Sequence, residues 1–211
     1  MNTLAKLVKA DPNRKSRLHD MEGNLLPVSG LVSLPLAGAD LVLRLLGQRR
    51  VQPWISYRAA RELAHIIRKD WHVLEFGAGM STVWFAQRSA FVLSIESNTD
   101  WYAQVTKMLT VRDLHNVDLR LRTDQKGYLA VKGSFDLVMI DGAWRDRCVD
   151  IAMRHVRPNG FVYLDNVDAA RGRAAKAMLM ACLPAGSVLH SYTDFAPGLA
   201  APTTGLLVHL P

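Results

Sequence analysis

Cysteine is scarce in this chain. Cys148 and Cys182 are its two cysteines in 211 residues, too few for a disulfide framework, and no CxxC or Cys/His cluster has zinc-ligand spacing. That usage fits a reducing, cytoplasmic setting. Uninterrupted apolar runs of membrane-spanning length are also lacking. The stretch LLPVSGLVSLPLAGADLVLRLL, residues 25–46, comes nearest at 22 residues. Pro27, Gly30, Pro35 and Gly38 break it, and Asp40 and Arg44 put charge inside it. A spanning helix does not carry such charges cheaply, so no transmembrane segment is expected. The pattern reads instead as a short amphipathic helix over 37–47 that packs on the body, on a partner or at a membrane surface. Residues 1–15 hold no apolar stretch long enough for a signal peptide. Internal repeats and low-complexity tracts are missing too.

What is present is the balance of a globular chain: 49% hydrophobic and 21% charged, with length for one full-sized domain. The net charge of +7 is unevenly placed. Residues 1–70 hold 12 Lys and Arg against 6 Asp and Glu, while residues 71–211 hold 14 against 13. The chain therefore divides into a basic N-terminal helical extension, 1–52, and a nearly neutral body, 53–211. The extension is either a solvated surface or a docking segment for acidic lipid, nucleic acid or an acidic partner.

After Pro53, Ser56 can cap a helix whose apolar positions are Ala60, Leu63, Ala64 and Ile67. From there strand and helix patterns alternate. Strands are expected at 72–76, 91–96, 117–121, 135–141, 160–165, 188–192 and 205–210, and helices at 81–87, 100–109, 147–155 and 169–183. Runs such as DLVMID and FVYLD are nearly continuous in apolar residues, as in a sheet covered on both faces. The alternation implies an α/β fold with a doubly wound, seven-stranded, mostly parallel sheet. The last connection is short, rich in Pro, Gly and Ala, and has no helical pattern. A parallel crossover needs more chain, so the last strand is expected to run antiparallel.

In such sheets ligands bind at the carboxyl ends of the strands, near the point where strand order reverses. The first strand leads into Glu75-Phe76-Gly77-Ala78-Gly79, and the helix beginning near Ser81 aims N–H groups at the same place. The second strand ends in Glu96, 19 residues after Gly77, a spacing at which a carboxylate can accept both hydroxyls of a ribose. Thr82 stands where a dinucleotide fingerprint wants a third glycine. Glu75 would repel a pyrophosphate but not an ammonium or sulfonium group. These residues favour S-adenosylmethionine over a nicotinamide dinucleotide.

VLEFGAGMST followed by VLSIES resembles the first two motifs of the class I S-adenosylmethionine-dependent methyltransferases, and the resemblance covers about residues 53–211. It implies the Rossmann-like methyltransferase fold. It also implies that Glu75, Gly77 and Gly79 line the methionine end of the cofactor, that Glu96 holds the ribose, and that Asp124 lies near the adenine. Ala78, Ser81, Thr82 and Asp141 complete the candidate cofactor set.

Asp141, Asp165 and Asn166 are placed at the ends of the fourth and fifth strands, where two carboxylates and an amide oxygen can hold Mg²⁺. This is similar to the catechol O-methyltransferase group, in which a metal holds the acceptor's oxygens. The competing reading makes Asp165 and Asn166 a turn and helix cap. Asp141 and Arg145 are the candidate catalytic residues. Arginine is a poor proton acceptor, so Arg145 would orient an anionic oxygen. The sequence thus points to a methyltransferase acting on an oxygen of a small-molecule or sugar-like acceptor. Two alternatives stay open: a nicotinamide-dependent oxidoreductase, and a non-catalytic adaptor of the same fold that docks through residues 1–50 on a membrane surface or protein. Nucleic acid is disfavoured as substrate, because IDGA stands where amino-group methylases of bases carry an Asn/Asp-Pro-Pro-aromatic motif.

Overall fold

The computed structural model describes residues 14–48, 50–197 and 201–211; the reading of residues 1–13 lies outside them. Seven strands form one sheet: β1 (His72–Phe76), β2 (Phe91–Glu96), β3 (Val117–Leu121), β4 (Phe135–Ile140), β5 (Val156–Leu164), β6 (Val188–Phe195) and β7 (Pro202–His209). Their order is β3-β2-β1-β4-β5-β7-β6. The first five strands pair in parallel, while β7 runs antiparallel to both β5 and β6.

The helices are α1 (Val28–Leu31), α2 (Leu34–Leu45), α3 (Tyr57–Ile66), α4 (Met80–Ala86), α5 (Thr99–Val111), α6 (Gln125–Tyr128), α7 (Arg145–His155) and α8 (Ala170–Cys182). Side chains alternate along each strand, and here both sets are buried. Leu74, Phe76, Ile95, Val138, Ile140 and Val162 join Val149, Ala152 and Leu179 from α7 and α8 in one core. Val73, Val92, Leu137, Met139 and Tyr163 join Ile55, Leu63 and Phe85 from the α3 and α4 side in another. The central strands β1, β2 and β4 are thus apolar runs with almost no solvent-facing side. Ser56 caps α3 as its position suggests, its hydroxyl accepting the Ala59 N–H.

The strand order reverses between β1 and β4, so the turns after these two strands diverge from one edge and leave a crevice. Gly77 and Gly142 keep them close. Gly77 has φ +98°, and a Cβ built on it would lie 2.7 Å from Gly142 Cα. A Cβ on Gly142 would run into the Tyr128 hydroxyl.

The N-terminal segment is laid on the β6 and β7 edge. Arg14 donates to the Pro202 carbonyl at 2.6 Å, and the Met21 N–H donates to Asp168 at 3.0 Å. Leu26, Leu36 and Ala37 pack with Tyr57 and Phe195. The amphipathic helix expected over 37–47 is α2, which starts three residues earlier, at Leu34.

Candidate active site

A cavity of about 440 Å³ opens at the carboxyl ends of β1, β2 and β4, within the size range of small-molecule sites. Gly77, Ala78, Gly79 and Ser81 form one wall, Glu96 and Ser97 another, and Asp141, Gly142, Ala143 and Arg145 a third, with Trp54 and Trp101 at its rim. The expected residues Gly77, Ala78, Gly79, Ser81, Glu96, Asp141 and Arg145 thus come together around one space.

Glu96 is nearly buried. Its Oε2 accepts the Ala78 N–H at 3.0 Å, and its Oε1 accepts those of Ser97 and Asn98 at 2.7 Å each. A carboxylate has about four acceptor directions, so the residue can pin both turns and still face the cavity.

Glu75 takes a different place from the expected one. It lies beneath the cavity floor, fully buried, with Oε2 accepting the hydroxyls of Thr82 at 2.5 Å and Ser94 at 2.6 Å. Thr82 is buried with it and accepts the Gly79 N–H at 2.9 Å. Both residues therefore shape the glycine turn from below. The other oxygen of Glu75 has no partner, and burial pushes its pKa up to about 7. Asp124 also departs from expectation: it is exposed, caps α6 by accepting the Gly127 N–H at 2.8 Å, and does not line the cavity.

The proposed metal ligands are gathered around a guanidinium. Arg145 Nη2 donates to Asp141 Oδ1 and to the Asp141 carbonyl, both at 2.8 Å. Its Nη1 donates to the Asp165 carbonyl at 2.6 Å and Asn166 Oδ1 at 3.0 Å, and its Nε to the Gly142 carbonyl at 3.1 Å. All five guanidinium N–H groups are engaged. Asp165 is buried against the Asp141 carboxyl, and Tyr163 donates to it at 3.1 Å. No group of three His, Cys, Asp or Glu among the described residues is arranged to hold a metal ion. The structure lends the Mg²⁺ reading no support: Asp141 and Asn166 already face a fixed cation, which Mg²⁺ would have to displace.

Trp144 and Asn166 adopt left-handed backbones, φ +46° and +53°. Asn tolerates this region; a tryptophan does so rarely. They adjoin the two ends of the Arg145 clamp, so the strain sits where the β4 and β5 turns are tied together. Burial raises the pKa of both aspartates. The rise is larger at Asp165, where the Asp141 charge adds to burial, and Arg145 counters it at both groups.

Sequence reasoning missed Trp101, Gly142 and Arg171 as lining residues. Trp101 reads as helix packing, yet its indole donates to the Ala78 carbonyl at 2.5 Å and its ring lies 5.9 Å from Trp54. Its place in the first turn after an acidic strand end was the available signal. Trp54, just ahead of α3, is at the rim as well. Tyr57 is buried and bonds Asp40 instead.

Strand order 3-2-1-4-5-7-6 with an antiparallel β7 is the class I methyltransferase fold. No protein-family model matches the chain, and no curated protein matches its sequence. Solved structures do match in fold. The O-methyltransferase TomG of Streptomyces achromogenes, involved in tomaymycin synthesis and solved with S-adenosylmethionine, superposes with TM-score 0.61 at 18% identity over 83% of this chain and 88% of TomG. An rRNA methylase from Streptococcus thermophilus gives 0.58 at 13% identity, over 74% of this chain and 96% of its own. Precorrin-6y C5,15-methyltransferase from Geobacter metallireducens gives 0.58 at 15%, over 74% and 91%. Proteins of this fold are thus named for tomaymycin synthesis, rRNA and precorrin-6y alike.

Proposed function

We propose that the chain is an S-adenosylmethionine-dependent methyltransferase that acts on an oxygen of a small-molecule or sugar-like acceptor. The observation that carries this reading is the cavity wall: two carboxylates, Glu96 at the end of β2 and Asp141 after β4, flank the Gly77–Gly79 turn that follows β1 between them. That lining suits a cationic ligand and opposes a pyrophosphate. Glu96, with Gly77, Ala78, Gly79 and Ser81, would hold the cofactor, which when bound supplies an electrophilic methyl group.

The chain's own part is positioning and proton handling. Trp54 and Trp101 narrow the rim and limit water. Asp141, with 28% of its side chain exposed, is the group able to take a proton from an acceptor hydroxyl. Arg145 sets the carboxylate's direction, and every one of its donors is held by protein oxygens, so it acts as a positioning residue.

Calorimetric titration with S-adenosylhomocysteine and with NAD separates this reading from its rivals. Binding of the former alone supports it, binding of NAD alone assigns the cavity to an oxidoreductase, and binding of neither leaves a non-catalytic adaptor.

A further inference from the structure

Helix α2 is amphipathic in the reverse of the usual sense. Its exposed positions are Leu34, Pro35, Gly38, Val42 and Leu45, followed by Leu46, one stripe at helical spacing without a charged or hydrogen-bonding side chain. Its buried position is Asp40. The Asp40 carboxylate accepts from the Tyr57 hydroxyl and from Gln52 Nε2, and it pairs with Arg50 at 3.2 Å. Helix α1 continues the apolar surface with Val28, 81% exposed, and Val32. Between Glu22 and Arg44 the one charged residue is Asp40, and it faces inward. Exposed Lys15 and Arg17 precede the stretch, half-buried Arg44 lies in the last turn of α2, and Arg50, the partner of Asp40, follows.

A soluble surface does not ordinarily leave so continuous an apolar stripe uncovered. Residues Val28–Leu45 are long and apolar enough to cross a membrane, with a mean hydropathy of 1.5. They do not form one spanning rod. The helices break between Leu31 and Leu34, and Gly30 sits so close to the β6 edge that a Cβ there would lie 2.7 Å from the Thr193 carbonyl. With the Asp40 bonds, these anchors hold the segment flat on the body.

We propose that the α1–α2 face docks on an anionic lipid bilayer, with Val28, Val32, Val42 and Leu46 entering the headgroup–acyl boundary and the flanking basic residues meeting lipid phosphates. Both requirements of in-plane docking are present: apolar side chains left exposed among the described residues, and positive charge beside them. A second copy of the chain would bring two such basic segments against each other, whereas an anionic surface complements them. Trp54 lines both the cleft beneath α2 and the rim of the large cavity, so the docked face and the cavity share a wall. The inference does not depend on which reaction the cavity supports.

The test is co-sedimentation of the purified full chain with phosphatidylcholine vesicles, with and without phosphatidylglycerol, alongside sedimentation velocity of the lipid-free protein. The expected result is a lipid-free monomer that pellets with the mixed vesicles at least tenfold more than with phosphatidylcholine alone. Val42→Glu with Leu46→Glu should lower that binding at least tenfold without changing the thermal melt. Val28→Ser and Lys15→Glu, milder and remote from the Asp40 bonds, should each weaken it several-fold. No pelleting of the wild type with mixed vesicles, or equal pelleting with both vesicle types, overturns the proposal. So does a lipid-free dimer that Val42→Glu dissociates.

Discussion

Arg145 Nη2 donates to Asp141 Oδ1 at 2.8 Å, one helical turn back along the chain. The same guanidinium reaches across to the Asp165 carbonyl and the Asn166 amide oxygen. It thereby ties the end of β4 to the end of β5 and fixes the Asp141 carboxyl at the cavity. An internal cation stands where the sequence suggests a bound one.

Removing that cation leaves several acceptors unsatisfied, Asp141 among them. Arg145→Ala is expected to destabilise the fold by about 2–4 kcal/mol, the range for losing one partner of a buried charged pair. Arg145→Lys should recover little of it, because an ammonium cannot reproduce the planar fork. Urea denaturation of the three proteins checks this. Millimolar Mg²⁺ should leave the wild-type melting temperature unchanged; a rise of several degrees would restore the metal reading.

The two glycines of the first turn should behave differently. Gly77→Ala meets both a left-handed φ and a 2.7 Å approach to Gly142, and should cost more than ~1 kcal/mol of stability. Gly79 is extended, φ −178°, a conformation open to any residue, and a Cβ there meets nothing nearer than 3.5 Å. Gly79→Ala should therefore melt like the wild type while weakening S-adenosylhomocysteine, since the added methyl projects from the cavity wall. Equal melting temperatures for the two variants would contradict the description of this turn.

Glu75 gives the fold a pH dependence. Burial raises its pKa from 4.5 to about 7. A carboxyl group shifted upward contributes stability that is present below its unfolded value and lost as pH rises through the folded one. Between about pH 4.5 and 7 the loss approaches ~1.4 kcal/mol per pH unit, roughly 2–3 kcal/mol in all. Glu75→Gln keeps an acceptor for Thr82 and Ser94 and carries no charge. The stability difference between variant and wild type should move in the variant's favour by that amount from pH 5 to pH 8. A difference independent of pH would mean that the carboxyl titrates normally.

The central strands were legible because they are apolar runs buried on both sides; β1, β2 and β3 match their expected bounds to the residue. The start of β5 was not, since Arg157, Pro158 and Asn159 interrupt its pattern, and the strand begins at Val156 rather than Gly160. Helix α6 has four residues with Gly127 among them, too short for a periodic signal. Within the site, the wall from Gly77 to Ser81, together with Glu96 and Asp141, followed from chain position alone. Whether Glu75 faces the cavity or its floor depends on Ser94 and Thr82, which reach it from a neighbouring strand and the following helix. The same holds for Asp40, whose inward turn requires Gln52, Tyr57 and Arg50. Local pattern marks where a carboxylate stands; the tertiary partner decides what it does there.

The account rests on the cavity beside Glu96 being a cofactor site, and calorimetric titration of S-adenosylhomocysteine into the wild type and Glu96→Ala tests it most directly. Both proteins should share the circular-dichroism spectrum of a folded α/β chain. The wild type should bind, and the variant should bind about 10- to 100-fold more weakly, the ~1–3 kcal/mol of lost hydrogen bonds to a charged group. Affinity unchanged in the folded variant, or a wild type that does not bind at all, would contradict it.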